Sequence, residues 1–111
     1  MITRYALFEG SVRDGQADAF RRAVLDELVP TWRAFPGAVE VRVSFAEERD
    51  GGAPEFPLIL AVDYPDRTAL ERALASPERL ASRAATERVL PRFFEGRIHH
   101  HVTEGHVFPA A

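Results

Sequence analysis

The chain has 111 residues, a formal net charge of −3 and no cysteine. This length allows one hydrophobic core, and we expect a single domain over residues 1–111. The acidic balance argues against a nucleic-acid partner, because such partners require a basic surface. The absence of cysteine excludes disulfides, thiolate nucleophiles and Cys-ligated zinc.

The N-terminus enters a strand-like pattern at once, without the basic start and apolar run of a signal peptide. No stretch approaches the roughly 20 apolar residues of a membrane span. We therefore expect a cytoplasmic protein with no membrane partner.

Ile2–Glu9 is predicted to be the first strand, with apolar residues on both faces, which is typical of a strand covered on both sides. A helix is predicted over Ala17–Ala34, because apolar residues recur there at helical spacing. Pro30 lies within this helix and should kink or break it near Leu28–Val29.

Ala38–Glu47 alternates as a second strand. Its predicted helix-facing side consists of Val39, Val41, Val43 and Phe45, and its other side of Glu40, Arg42 and Ser44. Leu58–Tyr64 is nearly all apolar and reads as a central strand covered on both faces.

Two helices should follow. Asp66 or its neighbour should cap the first, about Asp66–Ala75, and Ser76 with Pro77 should begin the second, which runs to about Leu90. In the second helix we expect Leu80, Ala84 and either Val89 or Leu90 to face inward, and Arg79, Arg83 and Arg88 to form a solvated face.

Gly96–Glu104 is predicted to be the last strand, in the middle of a closed sheet, and it carries three consecutive histidines. The order β-α-β-β-α-β predicts an α+β, ferredoxin-like sandwich with helices on one face of an antiparallel sheet. The other sheet face keeps apolar side chains, and large exposed apolar patches mark interfaces. Two such sheets facing each other would close a dimeric α+β barrel, so we expect a homodimer.

The element order, the Pro36-Gly37 turn and the Ser76-Pro77-Glu78 helix start resemble the dimeric α+β barrel proteins over about residues 2–104. That superfamily includes the antibiotic-biosynthesis monooxygenases and the EthD-like proteins. The run from Pro91 through Phe93-Phe94 and Gly96 is most similar to EthD-like or REDY-like small proteins of pigment pathways. The resemblance implies a small hydrophobic or aromatic ligand bound between helices and sheet, without a cofactor.

Successive strand side chains point to opposite faces, so His99 and His101 share one face and His100 lies on the other. A metal site made from all three is therefore sterically disfavoured. His99 and His101 could supply half of the ligands of such a site, with a carboxylate from Glu40 or Asp63. We expect no metal.

An imidazole titrates near neutrality and can take a proton from an acidic carbon or phenol. By the alternation of the second strand, His100 joins the helix-facing side and is the first candidate for general base, with Tyr5 or Tyr64 as hydrogen-bond donor. His99 and His101 replace it as pocket residues if the other face is the functional one. All three could equally be structural.

Trp32 and Phe35 could wall a flat apolar ligand, although aromatic residues at helical spacing are more often plain core. Asp63 is unusual in an apolar strand; it is either a paired carboxylate or a site base with a raised pKa. Arg42 could pair with Glu40 or Asp63, or contact the substrate.

The sequence thus leaves two main hypotheses. One is a cofactor-independent monooxygenase, cyclase or isomerase of secondary or aromatic metabolism that acts on an aromatic or polyketide-like substrate. The alternative is a non-catalytic dimeric binding or accessory protein of a biosynthetic or degradative pathway. A haem-degrading variant is a third possibility.

Overall fold

The computed structural model describes all residues 1–111. Its strands and helices follow the predicted order β-α-β-β-α-β. The strands are β1 Ile2–Val12, β2 Glu40–Phe45, β3 Leu58–Tyr64 and β4 Phe94–Glu104. The helices are α1 Ala17–Ala23, α2 Val29–Arg33, α3 Arg67–Leu74 and α4 Pro77–Val89, with a π-helical segment Val24–Leu28 between α1 and α2 and a 3₁₀ turn Leu90–Arg92 after α4.

The four strands form one antiparallel sheet in the order β2-β3-β1-β4. This is the predicted ferredoxin-like α+β arrangement, and β3 is an interior strand as its apolar sequence predicted. Within one chain β4 pairs only with β1, so it is an edge strand and not a middle one. None of the helices combines the length and the apolar character needed to span a bilayer.

The core lies between the helices and one face of the sheet, here called the helix face. Even-numbered residues of β1, β3 and β4 point to this face, because the register places them opposite one another. Val41, Val43 and Phe45 of β2 pack against the same core, as predicted, whereas Val39 precedes the strand and is exposed.

Pro30 disturbs the first helix as predicted, and it does so by widening one turn. Pro30 has no N–H, so the i→i−4 ladder cannot continue through it. The backbone N–H of Val29 instead donates to the carbonyl of Val24, five residues earlier. The helix then resumes as α2 and places Trp32 in the core.

Both predicted caps of the second helical region form. The side chain of Asp66 accepts a hydrogen bond from the N–H of Ala69 at 2.8 Å, and that of Ser76 accepts one from the N–H of Arg79 at 3.3 Å. The predicted inward face of α4 was right for Val89 and Leu90, which are buried, and wrong for Leu80 and Ala84, which are exposed; Ser82 and Ala85 are buried in their place.

Candidate functional site

A cavity of about 390 Å³ lies between the helices and the helix face of the sheet. Its size is within the range of small-molecule sites, and most of its 17 lining residues are hydrophobic. Trp32 and Phe35 line it from the end of the first helical region, and α4 contributes polar side chains. The apolar walls are completed by Ala6, Phe8, Leu60, Val62, Ala73, Leu74 and Ile98.

Three polar side chains cross the helix face in a row that spans three neighbouring strands. Arg4 of β1 pairs with Val62 of β3 and with Val102 of β4. Tyr64 lies two residues after Val62 on β3, and His100 lies two residues before Val102 on β4. Tyr64 and His100 are thus diagonal neighbours of Arg4, on either side of it, within reach of a long side chain. All three line the cavity.

Burial, and after it the positive charges of Arg4 and Arg79 and the neighbouring His99, together lower the pKa of His100 to about 4. The imidazole is therefore neutral at neutral pH and keeps a nitrogen lone pair free to accept a proton.

Tyr64 is almost fully buried, with 2% of its surface exposed. Burial raises the pKa of its phenol, an effect that the nearby Arg4 partly offsets. The phenol therefore stays protonated at neutral pH and can donate a hydrogen bond. Neither the Tyr64 hydroxyl, the His100 imidazole nor the Arg4 guanidinium bonds to another protein group, so all three are available to a ligand.

On the opposite side of the sheet, here called the open face, Asp63 is held in an ion pair. Arg42 Nη2 donates to Asp63 Oδ1 at 3.1 Å, Nη1 binds the other carboxylate oxygen, and the Thr3 hydroxyl donates to Oδ1 at 2.6 Å. Burial by itself would raise the pKa of Asp63, but the hydrogen bonds from Arg42 and Thr3 outweigh it and lower the pKa. Of the two alternatives predicted for Asp63, the structure shows the paired carboxylate and not a site base with a raised pKa.

The open face also carries His99, which bonds to Glu9 Oε1 through Nε2 at 2.8 Å. This bond is the largest cause of the lowered pKa of Glu9, to which Arg97 adds. Glu9 is therefore the carboxylate partner of His99, and not Glu40 or Asp63. Tyr5 and His101 face each other across β1 and β4 on the same side.

The structure thus divides the predicted site residues into two groups. His100, Tyr64, Trp32 and Phe35 come together in the cavity. Tyr5, Asp63, Arg42, His99 and His101 lie on the open face, because strand alternation separates them from His100. Tyr64, and not Tyr5, is the tyrosine that shares the cavity with His100.

Three arginines of the cavity were missed as site residues. Arg79 and Arg83 line it, although the sequence favoured a solvated face for them, and Arg4 was not considered. The signal for Arg4 was available, because it is the one charged residue on the side of β1 that carries Ala6 and Phe8. Arg79, Ser82, Arg83 and Thr86 also recur at helical spacing, which places them on one side of α4.

A second cavity, of about 460 Å³, lies between the start of α1 and the loop that joins β2 to β3. It contains none of the predicted site residues, and fewer than half of its lining residues are hydrophobic. The cavity with His100 is therefore the candidate site.

No family model matches the sequence. No curated protein matches it either. Solved structures do: an ethyl tert-butyl ether (EthD) family protein from Bacillus halodurans is 21% identical, with a TM-score of 0.75 over 96% of this chain and 99% of that one. SnoaB from Streptomyces nogalater, a cofactor-independent oxygenase, is 19% identical, with a TM-score of 0.62 over 96% and 94%.

A dimeric protein of unknown function with a ferredoxin-like fold, from Bacteroides fragilis, is 11% identical, with a TM-score of 0.60 over 94% of this chain and 95% of that one. At these identities the likeness concerns the fold. The chain has a ferredoxin-like fold, as its element order predicted.

Proposed function

We propose that this protein is a small cofactor-independent enzyme of secondary or aromatic metabolism that removes a proton from an aromatic or polyketide-like substrate, with His100 as general base. One observation carries the proposal: a neutral histidine and an unpaired tyrosine hydroxyl share a mostly apolar cavity of small-molecule size. Convergent polar groups in such a cavity are the usual mark of a ligand site.

The proposed step moves one proton from a carbon or phenol of the substrate to a ring nitrogen of His100. The electron pair left behind delocalises onto a substrate oxygen as an enolate or phenolate. Arg4 stabilises that charge, and the Tyr64 hydroxyl donates a hydrogen bond to the oxygen. Trp32 and Phe35 contact the flat apolar part of the substrate.

Three reaction types begin with this step. The enolate can react with dioxygen, as in a monooxygenase, attack a carbonyl within the same molecule, as in a cyclase, or regain the proton at another carbon, as in an isomerase. The fold likeness to SnoaB supports the first type in particular, since that protein is a cofactor-independent oxygenase. The proton step is common to all three and is therefore the one to test.

The proposed enzyme is a homodimer that associates through the open face of the sheet. Leu7 and Ile59 lie on this face and are only half-buried in one chain, so a second copy would cover apolar surface there. The dimeric Bacteroides fragilis protein with the same kind of fold supports this assembly.

Proton abstraction can be measured with anthrone and an anthrone carboxylate, whose ring-flanked CH₂ groups are acidic. We expect the protein to accelerate exchange of these protons with D₂O under nitrogen, followed by NMR. His100→Ala should lower the rate by roughly 10²- to 10⁴-fold, the usual contribution of a general base. His106→Ala is the control, because His106 lies in the tail outside the cavity. Unchanged exchange in His100→Ala would refute the base.

One observation favours the alternative of a non-catalytic binding protein. A histidine with a pKa of about 4 is a weak base in the free protein, so it depends on the substrate to restore its basicity. If both probes bind and neither exchanges faster than in buffer, the cavity serves binding alone.

A further inference from the structure

The cavity has a charge opposite to that of the protein. Three arginines line it, Arg4, Arg79 and Arg83, against one carboxylate, Glu87. With His100 neutral, the lining has an excess of two positive charges, although the whole chain has a net charge of −3. A cationic cavity in an acidic protein points to an anionic ligand, because such a cavity concentrates the field of its walls.

No arginine of the cavity has a carboxylate partner within the protein. Six of the 14 basic residues form ion pairs with carboxylates elsewhere on the molecule, and the three of the cavity are among the eight that form none. Arg4, Arg79 and Arg83 form none, and neither does Glu87, the carboxylate nearest to them in the lining. Their charges are therefore not neutralised by the protein itself.

Arg4 and Arg79 are half-buried, and this makes the missing partner informative. Burial lowers the pKa of Arg4, and the charge of Arg79 lowers it further. A buried cation without a counter-ion costs free energy, which a bound anion would recover. Ser76 caps α4 at Arg79, and a guanidinium nitrogen of Arg79 donates to the carbonyl of Leu74 at 3.4 Å, so this side chain is held toward the cavity.

We propose that the cavity binds an aromatic ligand that carries a carboxylate, with the carboxylate between Arg4 and Arg79 and the rings against Trp32 and Phe35. The planar fork of a guanidinium matches a carboxylate in geometry and charge. This names the substrate class of the proposed enzyme and so rests on the same site, but it concerns ground-state binding and not the proton step. If the arginines served only to stabilise an enolate, a neutral aromatic ligand would bind equally well.

The test compares naphthalene-2-carboxylate with its neutral amide by isothermal titration calorimetry at pH 7 and low salt. We expect the carboxylate to bind at least about tenfold more tightly, which is the value of one hydrogen bond between charged groups. Arg4→Gln and Arg79→Gln should each remove most of this preference, because each lowers the affinity for the carboxylate more than that for the amide. Arg88→Gln is the matched control, because Arg88 is on the same helix and does not line the cavity.

Equal affinity of the wild-type protein for the two probes, or no binding of the carboxylate, would overturn the proposal. So would an equal loss in Arg88→Gln, because the preference would then come from net charge and not from the site. Arg4 lies within a strand, and Arg4→Gln could fail to fold for that reason. Arg79→Gln changes a helix side chain at the same cavity, so it tests the proposal independently. The two proposals fail by different results. If the wild-type protein prefers the carboxylate but His100→Ala exchanges protons at the wild-type rate, the general base is refuted and the carboxylate site stands.

Discussion

His100 shows how one residue type acquires different chemistry on two faces of a strand. His99 lies on the open face with a carboxylate partner, whereas His100 points into the cavity among arginines. Burial and positive charge both oppose protonation of His100, so its lone pair is free at neutral pH. An anion bound beside such an imidazole would raise its basicity, so the proposed ligand would also assist the proposed proton transfer.

Removing the charge of Arg4 should raise the pKa of His100. In the wild-type protein we expect the imidazole to titrate near 4, and in Arg4→Gln nearer to its ordinary value of 6.5, because one repulsive charge is gone. The measurement is an NMR titration of the histidine ring protons, with Arg88→Gln as the unchanged reference. Identical titration of His100 in wild type and Arg4→Gln would contradict the electrostatic contribution of Arg4.

The same shift has a consequence for stability. The pKa of His100 is lower in the folded chain than the 6.5 of an unfolded one, so below pH 6.5 the unfolded state binds a proton that the folded state does not. The contribution of His100 to the free energy of unfolding is therefore present above pH 6.5 and is lost as the pH falls toward 4.

At the scale of the element, β1 and β4 depend on two glycines that face each other. Gly10 is paired with Gly96, and a Cβ at either position would overlap backbone atoms of the opposite strand. Gly10 also has φ +152°, a conformation that favours glycine. This close approach lets pairing continue to Val12 and Phe94, beyond the strand ends predicted from sequence.

Gly96→Ala should destabilise the protein by about 1–3 kcal/mol, the usual cost of forcing extra atoms into a packed site. The free energy of unfolding by urea, measured against wild type, gives this value. Gly51→Ala is the control, because nothing lies within 4 Å of a Cβ built there and its φ is not positive. Equal stability of Gly96→Ala and wild type would mean that the strands can separate at this point at no cost.

At the scale of the whole molecule, the open face remains to be covered. It combines the apolar Leu7 and Ile59 with the ion pair of Arg42 and Asp63 and the bond between His99 and Glu9. The tail adds Val107 and Phe108, which are 95% and 81% exposed. A second copy seated on the open face would bury Leu7 and Ile59, and the cavity on the helix face would stay accessible in each protomer.

Ile59→Glu should convert the proposed homodimer into a monomer, because it would place a charge in the apolar part of the interface. Sedimentation equilibrium measures the mass directly. Leu80→Glu is the control, since Leu80 is 67% exposed on a helix and away from the open face. A wild-type protein that sediments as a monomer, or an Ile59→Glu variant that stays dimeric, would contradict association through this face.

The sequence by itself determined the architecture, because apolar period, helix caps and proline positions are local properties of the chain. The alternation of β2 and β4 separated His100 from His99 and His101 before any contact was known, and Asp66, Ser76 and Pro30 marked helix boundaries. On α4 the sequence identified Val89 or Leu90 as buried but wrongly placed Leu80 and Ala84 inward. Small residues, Ser82 and Ala85, pack inward there.

Only the tertiary structure decided which residues share a site. The pairing of β1 with both β3 and β4 places Arg4 between Tyr64 and His100, residues that are 60 and 96 positions away from it in sequence. Arg79 joins them because α4 lines the same cavity. Burial then lowers the pKa of His100, and burial depends on every element around the cavity. Such long-range proximity leaves no periodic signal in a single sequence, so the sequence could assign these residues to faces of their own elements but could not show that they share one cavity.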